Sequence, residues 1–486
     1  MALGRTAYLT IGVLSLAAVG LILLVLPAAY QPYVLPGLLL VLVLTIVAPK
    51  VWERPALGVA GVLVCLVLPW GTGVEGQAAS VTLPDVVASA LVGLVALRTL
   101  AVGDEDRLRS WVLLPFAGVV VVGGVAAVAA IDVTLGLIGF VRHTEIFAAV
   151  PAATYLSLRT RKDLWLILLT FLAIGVLEGS IGVYQYFTGT GADYEGESIR
   201  AVGTFGAYQI LGMAAVVGYA ILVAAAGFAV IRDNRRWLAL LLMLALLFPL
   251  AFSLSRGAWI ASTVGVVAIL ALSNRKKLVL LLLVYGLALG IAYGHAGGHS
   301  STLTERFTSL GTIESSPDQS VGDRYAVWHA ARDMWADHPL TGVGPKNFAH
   351  LQDSYVPLSF SGGSDIADPG GGYRRVELLS PHSLYWLVLA EQGLIGALAY
   401  AALFLSLGVA GLRHLLGVDG SPVEKIFGFV CVGWLASYLT NSIYADLGGT
   451  VSLLDSILLG GLAWLASGVG VDKEVPDEAQ PKWFDA

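Results

Sequence analysis

The sequence predicts an all-α polytopic membrane protein of about fourteen transmembrane helices, within a range of 12 to 14, with a large extracytoplasmic loop containing short helices. Three observations predict it. Of 486 residues, 57% are hydrophobic and only 13% charged, with a mean hydropathy of +0.79, so too little polar surface exists for a water-soluble globule. The apolar residues come in runs of bilayer length. The basic residues gather in alternate connections between those runs, as the positive-inside rule requires. The net charge of −6 comes with no basic arm or aromatic-basic interleaving, so no nucleic-acid partner is expected.

The runs fall at 7–29, 33–49, 55–71, 83–101, 111–131, 135–158, 163–187, 203–231, 236–254, 257–272, 278–294, 383–412, 425–445 and 449–469. The first is too long for the apolar core of a signal peptide and lacks a clear cleavage pattern, so it reads as a retained span. The third and tenth are short, which leaves tilted or interfacial placement open. With the N-terminus inside, Lys50 and Arg54, Arg98, Arg107 and Arg109, Arg159, Arg161 and Lys162, Arg232 to Arg236, Arg275 to Lys277, Arg413 and Lys425 all fall on the inner side. A multi-pass protein of the cell (inner) membrane with both termini cytoplasmic is expected. Its parts are a membrane domain over 1–294, an extracytoplasmic loop domain over 295–381, a second membrane part over 382–470 and an acidic cytoplasmic tail over 471–486. Cys65 and Cys431 lie inside apolar runs and read as small hydrophobes rather than a disulfide or metal pair.

Within the loop, Asp323 is placed to cap a helix that runs to about Asp337 and stops before Pro339. Tyr325, Trp328 and Trp335 fall near one face of it, either as the core of a small loop domain or as a surface that stacks sugars. His338-Pro-Leu-Thr-Gly-Val-Gly-Pro345 reads as a tight turn. Ser361 to Ser364 and Pro369 to Gly372 read as a glycine-rich lid or tip.

Among the short outer connections only Arg200 and Arg256 are basic, each at the edge of a helix. A guanidinium at that depth either snorkels to lipid headgroups or faces something anionic in a polar cavity. His382 stands just before a long apolar helix, where a neutral imidazole can take a proton from a hydroxyl or be held by a backbone carbonyl. Tyr385 shares its face, whereas Glu391, nine positions on, is turned away. Two guanidiniums and one imidazole on a common side form a constellation for transfer from a lipid pyrophosphate, with the arginines on the departing phosphates and the histidine as base.

Secondary candidates for substrate contact are His338 in the turn and Arg324, Arg374 and Arg375 in the loop. A further candidate is Arg142, which with His143 and Glu145 forms an intramembrane charged cluster that equally suits bracing. The histidines at 295, 299, 329, 338 and 350 lack clear ligand spacing, so no metal is expected. Gly71 to Gly76 fits GxGxxG but follows no strand, and Asp104-Glu-Asp106 sits on the inner side as a solvated cluster.

The stretches Arg200-Ala-Val-Gly-Thr-Phe-Gly, Ser255-Arg-Gly-Ala-Trp259, His338-Pro-Leu-Thr-Gly-Val-Gly-Pro-Lys-Asn-Phe348, Pro381-His-Ser-Leu and Glu391-Gln-Gly-Leu-Ile-Gly396 together resemble the O-antigen ligase and Wzy-type O-antigen polymerase superfamily of membrane glycosyltransferases. The resemblance covers about Arg200 to Tyr400. It implies a GT-C-like fold, a polyprenyl-(pyro)phosphate-linked glycan as donor and a lipid, glycan or protein as acceptor. It implies Arg200 and Arg256 on the phosphates and His382 as base, with no cofactor or metal and inversion at the anomeric carbon. The family more often has Asn after that histidine, where this chain has Ser383, and about a dozen spans. Polymerase and ligase share the donor site and both stand. A secondary transporter, the reading from another class, lacks support from repeated halves or paired broken helices.

Overall fold

The computed structural model describes residues 47–68, 82–194, 198–205, 211–273, 276–279, 319–356, 380–417, 420–446, 449 and 451–471. The runs expected at 7–29, 33–49 and 278–294 lie wholly or almost wholly outside them, as do the glycine-rich part of the loop, Arg374 and Arg375.

The described chain is nearly all helical. It comprises α1 (Ala56–Leu66), α2 (Leu83–Val102), α3 (Leu113–Val128), α4 (Val133–Ser157), α5 (Arg161–Thr188), α6 (Leu211–Val230), α7 (Arg235–Phe252), α8 (Arg256–Ser273), α9 (Gln319–Asp337), α10 (Phe348–Tyr355), α11 (Leu384–Gly417), α12 (Pro422–Asn441) and α13 (Ser452–Ser467). A single antiparallel hairpin, β1 (Ala192–Tyr194) and β2 (Ser198–Arg200), joins α5 to α6. Among the described residues eight helices are long and apolar enough to cross a membrane, namely α2, α4 to α8, α11 and α12, and α1, α3 and α13 are shorter apolar helices.

Local chemistry explains several boundaries. At the start of α5, Asp163 accepts from the Thr160 amide at 2.9 Å while the Thr160 hydroxyl accepts from the Asp163 amide at 3.3 Å. Ser421 and Glu424 build the same capping box at α12, with the Ser421 amide 2.6 Å from the Glu424 carboxylate. In α4, Pro151 has no N–H to offer the preceding turn, and the helix opens into a π turn over Glu145–Ala149 just before it. α9 ends at Asp337 as Pro339 dictates, but it begins at Gln319, so Asp323 lies inside the helix rather than at its cap.

α6 is the central post. It is apolar all round and 83% of its best span window is buried, packed by α5, α7, α8 and α12. Asp455 of α13 ties it to the last helices, accepting from the Tyr219 hydroxyl and from the Trp434 indole at 2.9 Å. At one end of the bundle Arg54 meets Asp163 at 2.6 Å and Arg159 meets Asp104 at 2.5 Å, which draws Asp104 into a charged seam while Glu105 and Asp106 stay exposed. His382 lies at the other end of the bundle.

A second, smaller core sits against α11. Val327, Ala331 and Met334 of α9, with Val343 and Phe348, pack on Leu387 and Ala390 of α11. The buried face of α9 is therefore the aliphatic one. Tyr325 and Trp328, whose rings meet edge to face at 5.5 Å, flank it.

α11 is broken. Gly393 has φ 63°, and the backbone groups that the break releases are met by the turn after α9. The Val343 and Gly344 amides donate to the Ala390 and Glu391 carbonyls at 2.8 and 2.9 Å, and the Leu394 and Ile395 amides donate to the Pro339 and Leu340 carbonyls at 2.9 and 3.2 Å. A Cβ at Gly393 would overlap the Leu340 carbonyl, so only glycine admits this docking. The other flank of the turn is fastened to the α3–α4 connection. Ile131 N donates to Val343 O at 3.0 Å, Asp132 N to Asn347 Oδ1 at 2.8 Å, and Asn347 Nδ2 to Asp132 O at 3.1 Å.

Candidate active site

Arg200 closes β2, opposite Ala192 of β1. Beyond it, residues 201–205 fold over the end of α5. The Gln185 side chain accepts from the Val202 and Gly203 amides at 3.0 and 2.8 Å, and Glu178 accepts from the Thr204 amide at 2.9 Å and its hydroxyl at 2.8 Å. The Ala201 amide donates to the Phe252 carbonyl at 3.1 Å, so the residue after Arg200 is bonded to the last residue of α7. Tyr186 stacks on the Phe252 ring at 4.0 Å between centroids and reinforces that joint.

Four residues after Phe252, Arg256 opens α8. The turn between them puts Leu254 at φ 52° and is secured by the Trp259 indole, which donates to the Leu250 carbonyl at 2.7 Å. A Cβ on Gly257 would touch Asn441 Oδ1 at 3.7 Å and Tyr444 Cβ at 3.8 Å, so the start of α8 lies against the end of α12. That end in turn receives His382. The Leu384 amide donates to both the Ser442 and Ala445 carbonyls at 3.0 Å, the Ser383 hydroxyl to Ser442 O at 3.3 Å, and the Tyr385 hydroxyl to Leu439 O at 2.7 Å.

The segments carrying Arg200, Arg256 and His382 thus come from three separate parts of the chain and lie at one end of the bundle, linked in series through adjoining contacts of their flanking residues. His382 has φ 49°, unusual for a residue with a Cβ, and its side chain is 56% exposed. Its Nδ1 faces Asp446 Oδ2 at 3.9 Å, leaving Nε2 as the nitrogen turned away from the carboxylate. The Ser380 hydroxyl donates to the same Asp446 oxygen and accepts from the His382 amide at 3.2 Å. Trp328 donates its indole N–H to the Pro381 carbonyl at 3.0 Å. An imidazole beside a carboxylate, with two guanidinium-bearing segments nearby, can accept a proton and steady a departing anion.

The other candidates are distributed differently. Tyr385 lies on the first turn of α11 with its hydroxyl on the Leu439 carbonyl. His338 directly follows α9 and starts the docked turn, its carbonyl accepting from Gly342 N at 2.9 Å. Arg142 binds Asp85 at 2.6 Å, Glu145 at 2.8 Å and the Gly449 carbonyl at 2.7 Å, linking α2, α4 and the approach to α13. Arg324 lies on α9 with its side chain outside the described residues, and Arg374 and Arg375 lie outside them altogether. Glu391 is turned inward and accepts from the Phe348 amide at 3.2 Å. In the docked turn, burial pushes the Lys346 ammonium below the usual lysine range, with Glu391 opposing. Among the described residues no group of three or more His, Cys, Asp and Glu side chains is placed to hold a metal ion.

Asp446 and Trp328 are the neighbours of His382 that sequence reasoning did not find. Asp446 has one signal, an acid in the short connection between the last two spans, on the side expected for His382.

Residues 241–401 match the family model Wzy_C, described as O-antigen ligase. Over that stretch the chain is similar to the O-antigen ligase/Wzy-type superfamily. The matched stretch runs from within α7 to within α11, holding Arg256, the α9 unit and His382, while Arg200 precedes it and Asp446 follows it. Comparison with curated proteins gave no match. At the family level the domain supports membrane glycosyl transfer of the ligase or polymerase type.

Proposed function

We propose that the chain moves a glycan from a polyprenyl-(pyro)phosphate donor to an acceptor hydroxyl at the outer face of the cell membrane, in the manner of an O-antigen ligase. The observation that carries this reading is the convergence of the Arg200, Arg256 and His382 segments at one end of the bundle, with Asp446 beside the imidazole. His382 Nε2 takes the proton of the acceptor hydroxyl as its oxygen bonds to the anomeric carbon. The bond from that carbon to the phosphate oxygen breaks, and its electron pair leaves with the lipid (pyro)phosphate. Arg200 and Arg256 hold that anion by charge-assisted, bidentate hydrogen bonds. Direct displacement inverts the anomeric centre.

The test uses the purified protein in detergent with a lipid-linked oligosaccharide, following both extended glycan and released polyprenyl (pyro)phosphate. His382→Ala is expected to abolish transfer while donor binding survives. Normal transfer by that variant would overturn the assignment. The size of the product separates the two acceptor classes, since a ladder of repeats marks a polymerase and a single transfer a ligase.

A further inference from the structure

His382 does not fix its own geometry. Its left-handed backbone, at φ 49°, sits in a corner whose three neighbouring polar groups are all held from elsewhere: Pro381 O by Trp328, Ser380 Oγ by Asp446, and Leu384 N by Ser442 and Ala445. Two of those three holds come from the connection after α12. The third comes from α9, which belongs to the smaller core and reaches the membrane bundle through its own anchorage.

That anchorage is the break in α11. Four backbone hydrogen bonds of 2.8 to 3.2 Å seat Pro339 to Gly344 against Ala390 to Ile395, and Asn347 locks the other side of the turn to Asp132. The segment of α11 between the corner and the break, Leu384 to Gln392, is consequently gripped at both ends. Its upper end is fixed by α12 and its lower end by the turn, while Leu387 and Ala390 pack on Val327, Ala331 and Met334 of the same helix that carries Trp328. A closed mechanical ring results: α9, the turn, the break at Gly393, the upper segment of α11, the corner at His382, and Trp328 back on α9.

We propose that this ring is the device that aims His382 in the transfer reaction, and that Trp328 and Gly393 are positioning residues acting through it. The inference rests on the glycosyl-transfer function and base role of His382 proposed above. A displacement of about 1 Å at a general base costs on the order of 10²-fold in rate without any loss of substrate contact.

The test measures donor-binding stoichiometry, donor KM and kcat per mole of bound donor, using the lipid-linked oligosaccharide as probe, for the wild type, Trp328→Phe, Gly393→Ala and His382→Ala. Trp328→Phe keeps an aromatic ring beside Tyr325 while removing the indole N–H, so it tests the bond to Pro381 even if Gly393→Ala fails to fold. Trp328→Phe is expected to lower kcat per bound donor about 5- to 10-fold, the effect of one lost hydrogen bond, and Gly393→Ala about 10²-fold, with KM within about 2-fold of wild type. A merely structural role lowers the stoichiometry and leaves kcat per bound donor unchanged, and that result overturns the proposal. His382→Ala separates the two levels. If it transfers normally per bound donor, the base assignment falls and takes the inference with it. If it is inactive while Trp328→Phe turns over at the wild-type rate, the function stands and the positioning ring alone is lost.

Discussion

A left-handed backbone at His382 carries about 1 to 3 kcal/mol of local strain for a residue with a Cβ, and the surrounding hydrogen bonds must supply it. Glycine escapes that strain. We therefore expect His382→Gly to be more stable than His382→Ala by roughly 1 kcal/mol, read as a higher thermal midpoint, with both inactive; equal thermal midpoints would show that the corner is unstrained. At Asp446 the contact to the imidazole is long, so the carboxylate orients rather than grips. Asp446→Asn should lower kcat by about 10-fold, less than the 10²- to 10⁴-fold expected for loss of a general base, and steady-state transfer kinetics would read the difference. Lysine at 200 or 256 keeps a charge and loses the planar fork. Arg200→Lys and Arg256→Lys are expected to recover only part of the transfer that the alanine variants lose, and full recovery would mean that charge alone suffices.

Asn347 shows what an element needs beyond its own sequence. Its side chain satisfies both the amide and the carbonyl of Asp132, at 2.8 and 3.1 Å, so one residue joins the docked turn to the α3–α4 connection. Asn347→Ala leaves two backbone groups to find other partners and should cost about 1 to 3 kcal/mol, read as a lower thermal midpoint and faster proteolysis between α9 and α10. Ser421→Ala, which removes only a helix cap far along the chain, should cost about 1 kcal/mol and leave the α9 unit as resistant as before. The limits of sequence reading are plain at this scale. The run 383–412 carries no charge but Glu391 and is otherwise apolar apart from Gln392, Ser383 and Ser406, so hydropathy draws one helix through Gly393, and the motif containing Pro339 to Gly344 reads as an isolated turn. Each is half of a single joint, and neither half shows its mate because the bonds between them are backbone to backbone.

For the molecule as a whole, the helices from α1 to α8 and from α11 to α13 were legible as apolar runs because in a bilayer each backbone group must be satisfied within its own segment. The convergence of Arg200, Arg256 and His382 was legible only as a shared side of the membrane. Contacts that cross the bundle, such as Asp446 beside His382 or Asp455 beneath Tyr219, leave no periodic trace. Arg142 illustrates the same limit. A half-buried arginine in a span is compatible with substrate contact or with bracing, and the structure gives its guanidinium two carboxylates and a carbonyl on three different segments. Arg142→Gln therefore tests the whole architecture. If Arg142 is a brace, the substitution should cost on the order of 2 kcal/mol, read as a lower thermal midpoint, with donor KM unchanged, whereas a raised KM at unchanged stability would mark a substrate contact.

The joint at Gly393 also gives biogenesis an order. The ribosome makes the α3–α4 hairpin first, then the turn, then α11, and the carbonyls of Ala390 and Glu391 have no acceptable partner in hydrocarbon until the turn is there. Residues 338–347 must accordingly be folded back before α11 can settle into its bent form, so this helix reaches that form only once the turn has docked rather than at the moment of its insertion.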